Sequence, residues 1–349
     1  MFLSCSLLAA HSIEPTWSVD FGSVFDNREG DGSMYEAKTM FFTSLSPEVG
    51  LKFSPTDRIA GGAVWIQPVE NKARLKNVNP VLYYRHEGEK WKFSMGIFPR
   101  TQLREPLPGF LWSDSLTYFQ RNIRGALLQY ENKNGFFDAY IDWRAHQTET
   151  QREAFNILFH GEVRPKGGHL LLGAHVLMNH FAKSRGAGAT QGVVDNFLVN
   201  PYVGLDYSGK LVLDSLVIKA GILQTIERHR LTSSGWNCPG GLWADATFEW
   251  RYLGVRNSFY IGGKQLLPLY GEFGPLLYQG EAYYQSMFYD RLDVYGRLYK
   301  NEYMDLEAQL NFNFAKDNFM FYQRLILNVY IGNLKKPSRR KLSQISMFH

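Results

Sequence analysis

The chain has 349 residues, of which 45% are hydrophobic and 15% aromatic, with a mean hydropathy of −0.28 and a net charge of +5. No stretch approaches the roughly 18 to 20 apolar residues a membrane helix needs, which excludes a helical membrane protein. Part of the positive charge lies in one terminal run, Lys335, Lys336, Arg339, Arg340 and Lys341; such runs are solvated tails, and with no reading motif beside it no nucleic-acid partner is expected.

Twenty Tyr, 25 Phe and 32 Gly against 14 Pro point to an all-β chain, since aromatics favour the pleated surface and glycines serve bends and turns. Met1 to Ser12 hold an apolar stretch ending in small residues, read as the remnant of a secretory signal over 1–15 that lacks its basic start. Too little apolar sequence precedes Cys5 for a lipid-attachment site. With the signal removed, Cys238 remains alone and excludes an intramolecular disulfide.

From residue 16 onward the dominant signal is strict alternation, the mark of a strand with one face on lipid and the other on a polar interior. It predicts strands at 16–25, 38–53, 57–68, 79–86, 90–100, 122–131, 135–146, 152–163, 169–180, 194–207, 211–224, 243–253, 256–265, 284–298, 302–314 and 319–331. In 302–314, Met304, Leu306, Ala308, Leu310, Phe312 and Phe314 share one face, opposite Tyr303, Asp305, Glu307, Gln309, Asn311 and Asn313. The stretch 137–146 repeats the pattern, with Asp138, Asp142 and Arg144 on the polar side; 244–252 sets Asp245, Glu249 and Arg251 against Ala244, Phe248 and Trp250; and 319–331 turns Tyr322 and Arg324 inward.

An even strand number is what a transmembrane antiparallel β-barrel of about 16 strands needs to return both termini to one side. The connections alternate between short turns, such as Ser54-Pro55-Thr56 and Gly254-Val255, and longer segments near 26–37, 69–78, 101–121, 181–193, 225–242 and 266–283. The short set is assigned to the periplasm, the long set to the exterior. Trp17, Trp65, Trp91, Trp143, Trp243 and Trp250 fall near strand ends, at headgroup level. The barrel is thus expected over 16–332, followed by a basic periplasmic tail over 333–349.

Met95-Gly-Ile-Phe-Pro-Arg100, Phe110-Leu-Trp-Ser-Asp-Ser-Leu-Thr-Tyr118, Asn122-Ile-Arg-Gly-Ala-Leu-Leu-Gln-Tyr130, Ile141-Asp-Trp143, Arg152-Glu-Ala-Phe155 and Gly192-Val-Val-Asp-Asn196 resemble segments of the porin-like outer-membrane barrels of Bacteroidota. The resemblance spans most of the chain and implies fold and an outer-membrane location in a Gram-negative bacterium, with no specific cargo. The basic tail after Gly332 departs from barrels whose last strand ends the chain on an aromatic residue.

A pore's selectivity lies in its inward side chains and in any loop folded into it. The segment 101–121, with Pro106, Pro108 and Gly109 for a bend and Glu105 and Asp114 beside Trp112 and Tyr118, is the candidate constriction, weighed evenly against an external loop. Arg100, Arg124, Arg144 and Arg152 end four consecutive strands and can form a basic wall facing those carboxylates; pairing with Glu153, Asp138 or Asp142 is the plainer reading. Arg291, Asp293 and Arg297 face Asp305 and Glu307, with Arg324 following.

The near balance of inward charges predicts a passive channel for small polar solutes with weak ion selectivity. A barrel plugged by 101–121 or 266–283, serving as a binding or assembly partner for a surface protein, lipid or glycan, is the alternative. A rim hydrolase is a further one, with His146, His160, His175, His180 and Ser113 available but no nucleophile motif. No enzymatic activity, cofactor or metal is expected; His175 and His180 lie an odd number apart on a strand and so on opposite faces. Outer-membrane lipid, lipopolysaccharide and small polar solutes are the expected partners, and self-association into oligomers is left open.

Overall fold

The computed structural model describes residues 13–31, 34–70, 78–165, 168–233, 235–265, 270–316 and 318–334. Met1 to Ser12, with Cys5, and the tail from Lys335 onward lie outside the described residues, as does part of the 69–78 connection. The alternation read from the sequence forms sixteen antiparallel strands that close on themselves, β1 pairing with both β2 and β16.

In chain order the strands are β1 (Glu14–Asp31), β2 (Lys38–Lys52), β3 (Asp57–Pro68), β4 (Val78–Glu87), β5 (Trp91–Pro99), β6 (Asn122–Asn132), β7 (Gly135–Ala145) and β8 (Ala154–Val163). They continue with β9 (Leu170–Phe181), β10 (Val194–Asp206), β11 (Ser215–His229), β12 (Gly240–Trp250), β13 (Leu253–Gly262), β14 (Phe288–Lys300), β15 (Met304–Ala315) and β16 (Asn318–Gly332). Closure leaves no unpaired sheet edge, which a barrel in lipid requires. Leu82, Met95, Leu128, Phe159, Leu242, Leu310 and Leu325 are exposed on the outer face, where hydrocarbon is their solvent.

Three expectations shift. The strand expected over 284–298 begins only at Phe288, because Ala282–Gln285 form a 3₁₀ turn inside the barrel. The β12–β13 hairpin turns at Arg251–Tyr252, not Gly254-Val255, and Arg251 takes φ 52 there. Trp243 faces inward and is buried, as its even separation from Asp245 requires, so it is no part of the interfacial girdle; Trp17, Trp91, Trp143 and Trp250 are exposed.

The interior is occupied. Two connections from the long-loop end fold inward and meet: the β5–β6 segment, carrying helix α1 (Asp114–Phe119), and the β13–β14 segment, carrying helix α2 (Tyr270–Phe273). Phe110, Leu111, Tyr118, Leu277, Tyr278, Tyr283 and Tyr284 are buried there, forming an apolar core within the polar ring of strands.

Candidate functional site

Below the point where the β5–β6 hairpin leaves the wall for the lumen, two glycines face each other across it. Gly96 pairs with Gly125, at φ 124 and 157, conformations that side-chain-bearing residues rarely adopt. A Cβ at either would stand 2.3 Å from a backbone oxygen of the neighbouring strand, that of Leu82 or Ile141. Above this pair the chain runs through Pro106 and Pro108 to α1, which Ser113 caps by accepting from the Leu116 N–H.

The second insert holds the first by main-chain bonds. Ser113 N–H donates to Gln279 O at 2.7 Å and Glu281 N–H to Gly109 O at 2.7 Å. The Glu281 carboxylate accepts from Asp114 N–H at 2.6 Å and from Tyr35 Oη at 2.6 Å. Burial pushes the Glu281 carboxyl up from its ordinary range, and the nearby Asp114 charge adds to the effect. Phe110 sits edge-on to His175, Trp243 and Tyr284, with centroids 5.6 to 5.9 Å away.

Charge is concentrated where α1 meets the wall. Asp114 Oδ2 accepts from Arg324 at 2.6 Å and from Arg291 at 3.0 Å. Arg324 also lies 3.2 Å from Asp26, which bonds Arg28 at 2.8 Å and accepts from Tyr118 Oη at 2.7 Å. Burial opposes ionisation of Asp114, but Arg291 and Arg324 more than offset it and hold the carboxyl below its ordinary range. A cavity of about 170 Å³ opens beside this cluster, lined among others by Arg100, Arg121, Arg256, Arg291 and Arg324 and by Glu105, Asp114 and Asp293. Five guanidinium groups thus face three carboxylates.

Of the other residues named from sequence, Arg100 bonds Asp142 at 2.6 Å and stacks over Trp112 at 3.7 Å. Arg144 donates to Leu277 O and Asn179 Oδ1. Arg152 donates to Gly192 O at 2.8 Å beneath Phe181 and Phe273. Asp245 accepts from Arg256 and Ser258, Glu249 from Tyr295, and Glu307 from Gln309, while Asp305 stands 4.0 Å from Arg297.

Two placements are corrected. Arg124 pairs with Ile97 on the outer face and is exposed, because Ile123 takes the inward position. Arg251 lies in the hairpin turn, since the strand ends at Trp250. The basic wall therefore divides: Arg100 and Arg144 stand inside, Arg124 outside, and Arg152 at the long-loop rim.

Sequence reasoning missed Asp26, Arg28, Arg256 and Glu281. Asp26 and Arg28 alternate with Asn27 and Glu29, a pattern that extends β1 through what was read as a loop. Arg256 was legible as an inward residue opposite Thr247 once the β12–β13 turn is set at Arg251. It also missed the buried set in which Tyr202 Oη and Lys219 both bond Glu162, beneath the stacked rings of His160 and His175.

Solved structures that superpose on this barrel include outer-membrane porins. The protein OprD from Pseudomonas aeruginosa superposes with a TM-score of 0.55 at 8% identity, covering 91% of this chain and 94% of that one. OccK2 (OpdF) of the same species, in complex with glucuronate, gives 0.52 at 9% identity over 92% and 99%. A BenF-like porin from Pseudomonas fluorescens Pf-5 gives 0.52 at 9% over 91% and 99%. At such identities the likeness is one of fold. Comparison with curated protein sequences gives no match. The sequence model of a family described as Lipid A 3'-O-deacylase-type matches residues 14–336, the whole barrel. That match overturns the expectation of a barrel without enzymatic activity, because the family is named for a deacylating enzyme. By sequence, the chain belongs to the Lipid A 3'-O-deacylase-type family, built on a closed sixteen-strand antiparallel barrel of the porin kind.

Proposed function

We propose that this protein is a narrow outer-membrane channel for small polar solutes, with a mild preference for anions. The observation that carries the reading is the charged constriction: Asp114 on the inserted helix, held 2.6 and 3.0 Å from Arg324 and Arg291 of the wall, beside a cavity where guanidinium groups outnumber carboxylates. Fixed charges of opposite sign across a narrow passage orient a polar solute, and the cationic excess lowers the barrier for an anion. The porin fold supports the channel role, and the glucuronate bound to one structural neighbour is a small polar anion of the size in question. The proposed host is a Gram-negative bacterium, and the resemblance of the motifs quoted above to barrels of Bacteroidota supports that reading. Outer-membrane lipid surrounds the barrel.

The test is single-channel conductance of the refolded protein in a planar bilayer under a salt gradient. Stable steps with a reversal potential on the anion side are expected. A silent bilayer from folded protein overturns the reading, because the two inserts then close the lumen.

A second reading, deacylation of lipid A at the rim, is favoured by the family and by one contact. His180 Nε2 lies 3.6 Å from Glu153 Oε2, on the outer face at the long-loop end, with Phe155 stacked on the imidazole and Trp143 on Phe155. A histidine oriented by a carboxylate beside an acyl-facing aromatic surface has the makings of a general base. Release of fatty acid from lipid A by the wild type, lost in His180→Ala, is the expected result; equal release by both excludes His180.

A further inference from the structure

The inward bend of the β5–β6 hairpin also changes the outside of the barrel. Pairing between β6 and β7 stops at Gly125 opposite Asp142, although β6 continues back to Asn122 and β7 on to Ala145. Three residues on each side therefore face one another without ladder bonds, a parting about 10 Å long at ~3.3 Å per residue. Asp142 causes part of it: its inward carboxylate accepts the Arg124 N–H at 3.0 Å, replacing a strand carbonyl and drawing β6 toward the lumen. On the other flank, β4 and β5 part above Leu82 opposite Ile97.

Behind the parting lies a cavity of about 330 Å³ whose lining joins the outer face of β6 to the inner faces of β4 and β7. Arg121, Arg124 and Arg144 stand around it with Phe119 and Leu276. Asp142 is already engaged by Arg100 at 2.6 Å, so the local charge is cationic, and Arg144 Nε is buried without a hydrogen-bond partner. Exposed Trp143 flanks the seam, which fixes its depth at the membrane interface, where lipid headgroups lie.

We propose that this parting is a lateral window that receives a lipid carrying a phosphate monoester headgroup, its phosphate between Arg124 and Arg144 and an acyl chain against Phe119 and Leu276. Planar guanidinium groups match phosphate oxygens bidentately, and the apolar half of the lining distinguishes a lipid from a free anion. The inference does not require the lumen to conduct.

The test uses the full chain refolded into phosphatidylcholine nanodiscs doped with phosphatidic acid bearing a photoactivatable acyl chain. Crosslinks are expected in the peptides containing Phe119, Trp143 and Leu276. Unlabelled phosphatidic acid should displace them, and additional phosphatidylcholine or inorganic phosphate should not. Arg124→Gln with Arg144→Gln should lower labelling at least fivefold with the folded-barrel gel mobility retained. Should loss of the Arg144 contacts prevent folding, Arg124→Gln alone, at an exposed position, and the wild-type crosslink map decide the matter. Labelling spread evenly around the barrel, or equal displacement by phosphatidylcholine, overturns the proposal. Displacement by inorganic phosphate as effective as by the lipid assigns the cavity to a free anion and overturns it as well.

Discussion

Asp114 and Arg324, 210 residues apart in sequence, are joined at 2.6 Å, and this contact ties the inserted helix to the strand that closes the barrel. Because Arg324 also reaches Asp26 on β1, the pair sits on the seam where the first and last strands meet. Insert position and barrel closure are therefore coupled through one carboxylate.

Replacing that carboxylate is the direct test. Asp114→Asn leaves Arg291 and Arg324 facing each other without their shared anion. Breaking a buried pair from one side costs about 3 to 5 kcal/mol, and the low end is expected because Asp114 keeps 22% exposure. The expected outcome is a lower urea midpoint for refolded barrels, together with a reversal potential moved further toward anions. An unchanged reversal potential would show that Asp114 lies off the conduction path.

The two acidic groups joining the inserts titrate in opposite senses. Asp114 is held below its ordinary range by Arg291 and Arg324 against the effect of burial, so its contribution is present above about pH 4, the unfolded value, and is lost as pH falls toward the depressed folded value. Glu281 is pushed up by burial and by Asp114. In the folded state it keeps its proton where the unfolded chain has lost it, so stability falls as pH rises from about 4.3 through the raised value. Protease resistance of the 101–121 and 270–287 segments should peak in the acidic range. Glu281→Gln, which stays neutral, should remove the alkaline decline and leave the acid limb intact.

How much of this was legible in the sequence follows from what each feature depends on. Strand faces were legible because lipid on one side and water on the other impose a period of two, as Met304 to Phe314 show. The inward course of 101–121 was legible as a possibility, since the segment carried the proline bend and two carboxylates. The partners of Asp114 were not: that it meets Arg324, and that Arg291, opposite Asn313 and far along the ladder from Asp305, turns to it, depends on barrel closure and on the depth of the insert, which no local pattern encodes. Arg124 was misplaced although its parity was legible: it shares the outward face of β6 with Ala126 and Leu128, while Ile123, Leu127 and Gln129 hold the inward one, and the ladder with β5 runs through without a shift. Glu281 was invisible within a segment that reads only as a long loop.

The glycine pair gives a test of the bend itself. Gly125→Ala places a methyl 2.3 Å from Ile141 O at φ 157, and Gly96→Ala does the same against Leu82 O. An alanine forced into an incompatible backbone conformation destabilises by more than about 1 kcal/mol. The expected result is a lower refolding midpoint for each variant. Because the β5–β6 hairpin then follows the wall more nearly straight, protease cleavage within 101–121 should rise as well. If stability falls while the segment stays protected, the glycines serve sheet curvature alone and the insert is held by other contacts.

Those other contacts centre on Phe110, 2% exposed at the tip of the insert and packed edge-on against His175 of β9, Trp243 of β12 and Tyr284 of the second insert. Truncation of a buried phenylalanine typically costs about 3 to 5 kcal/mol. Here the loss falls on docking of the insert and not on the sixteen-strand ladder, whose hydrogen bonds do not involve this side chain. Phe110→Ala should therefore keep the gel mobility of a folded barrel while hydrogen exchange in 101–121 and 270–287 accelerates together, since Ser113 and Gly109 bond directly to Gln279 and Glu281. Unitary conductance should rise as the constriction loosens. Acceleration confined to 101–121, with 270–287 still protected, would show that the two inserts dock separately.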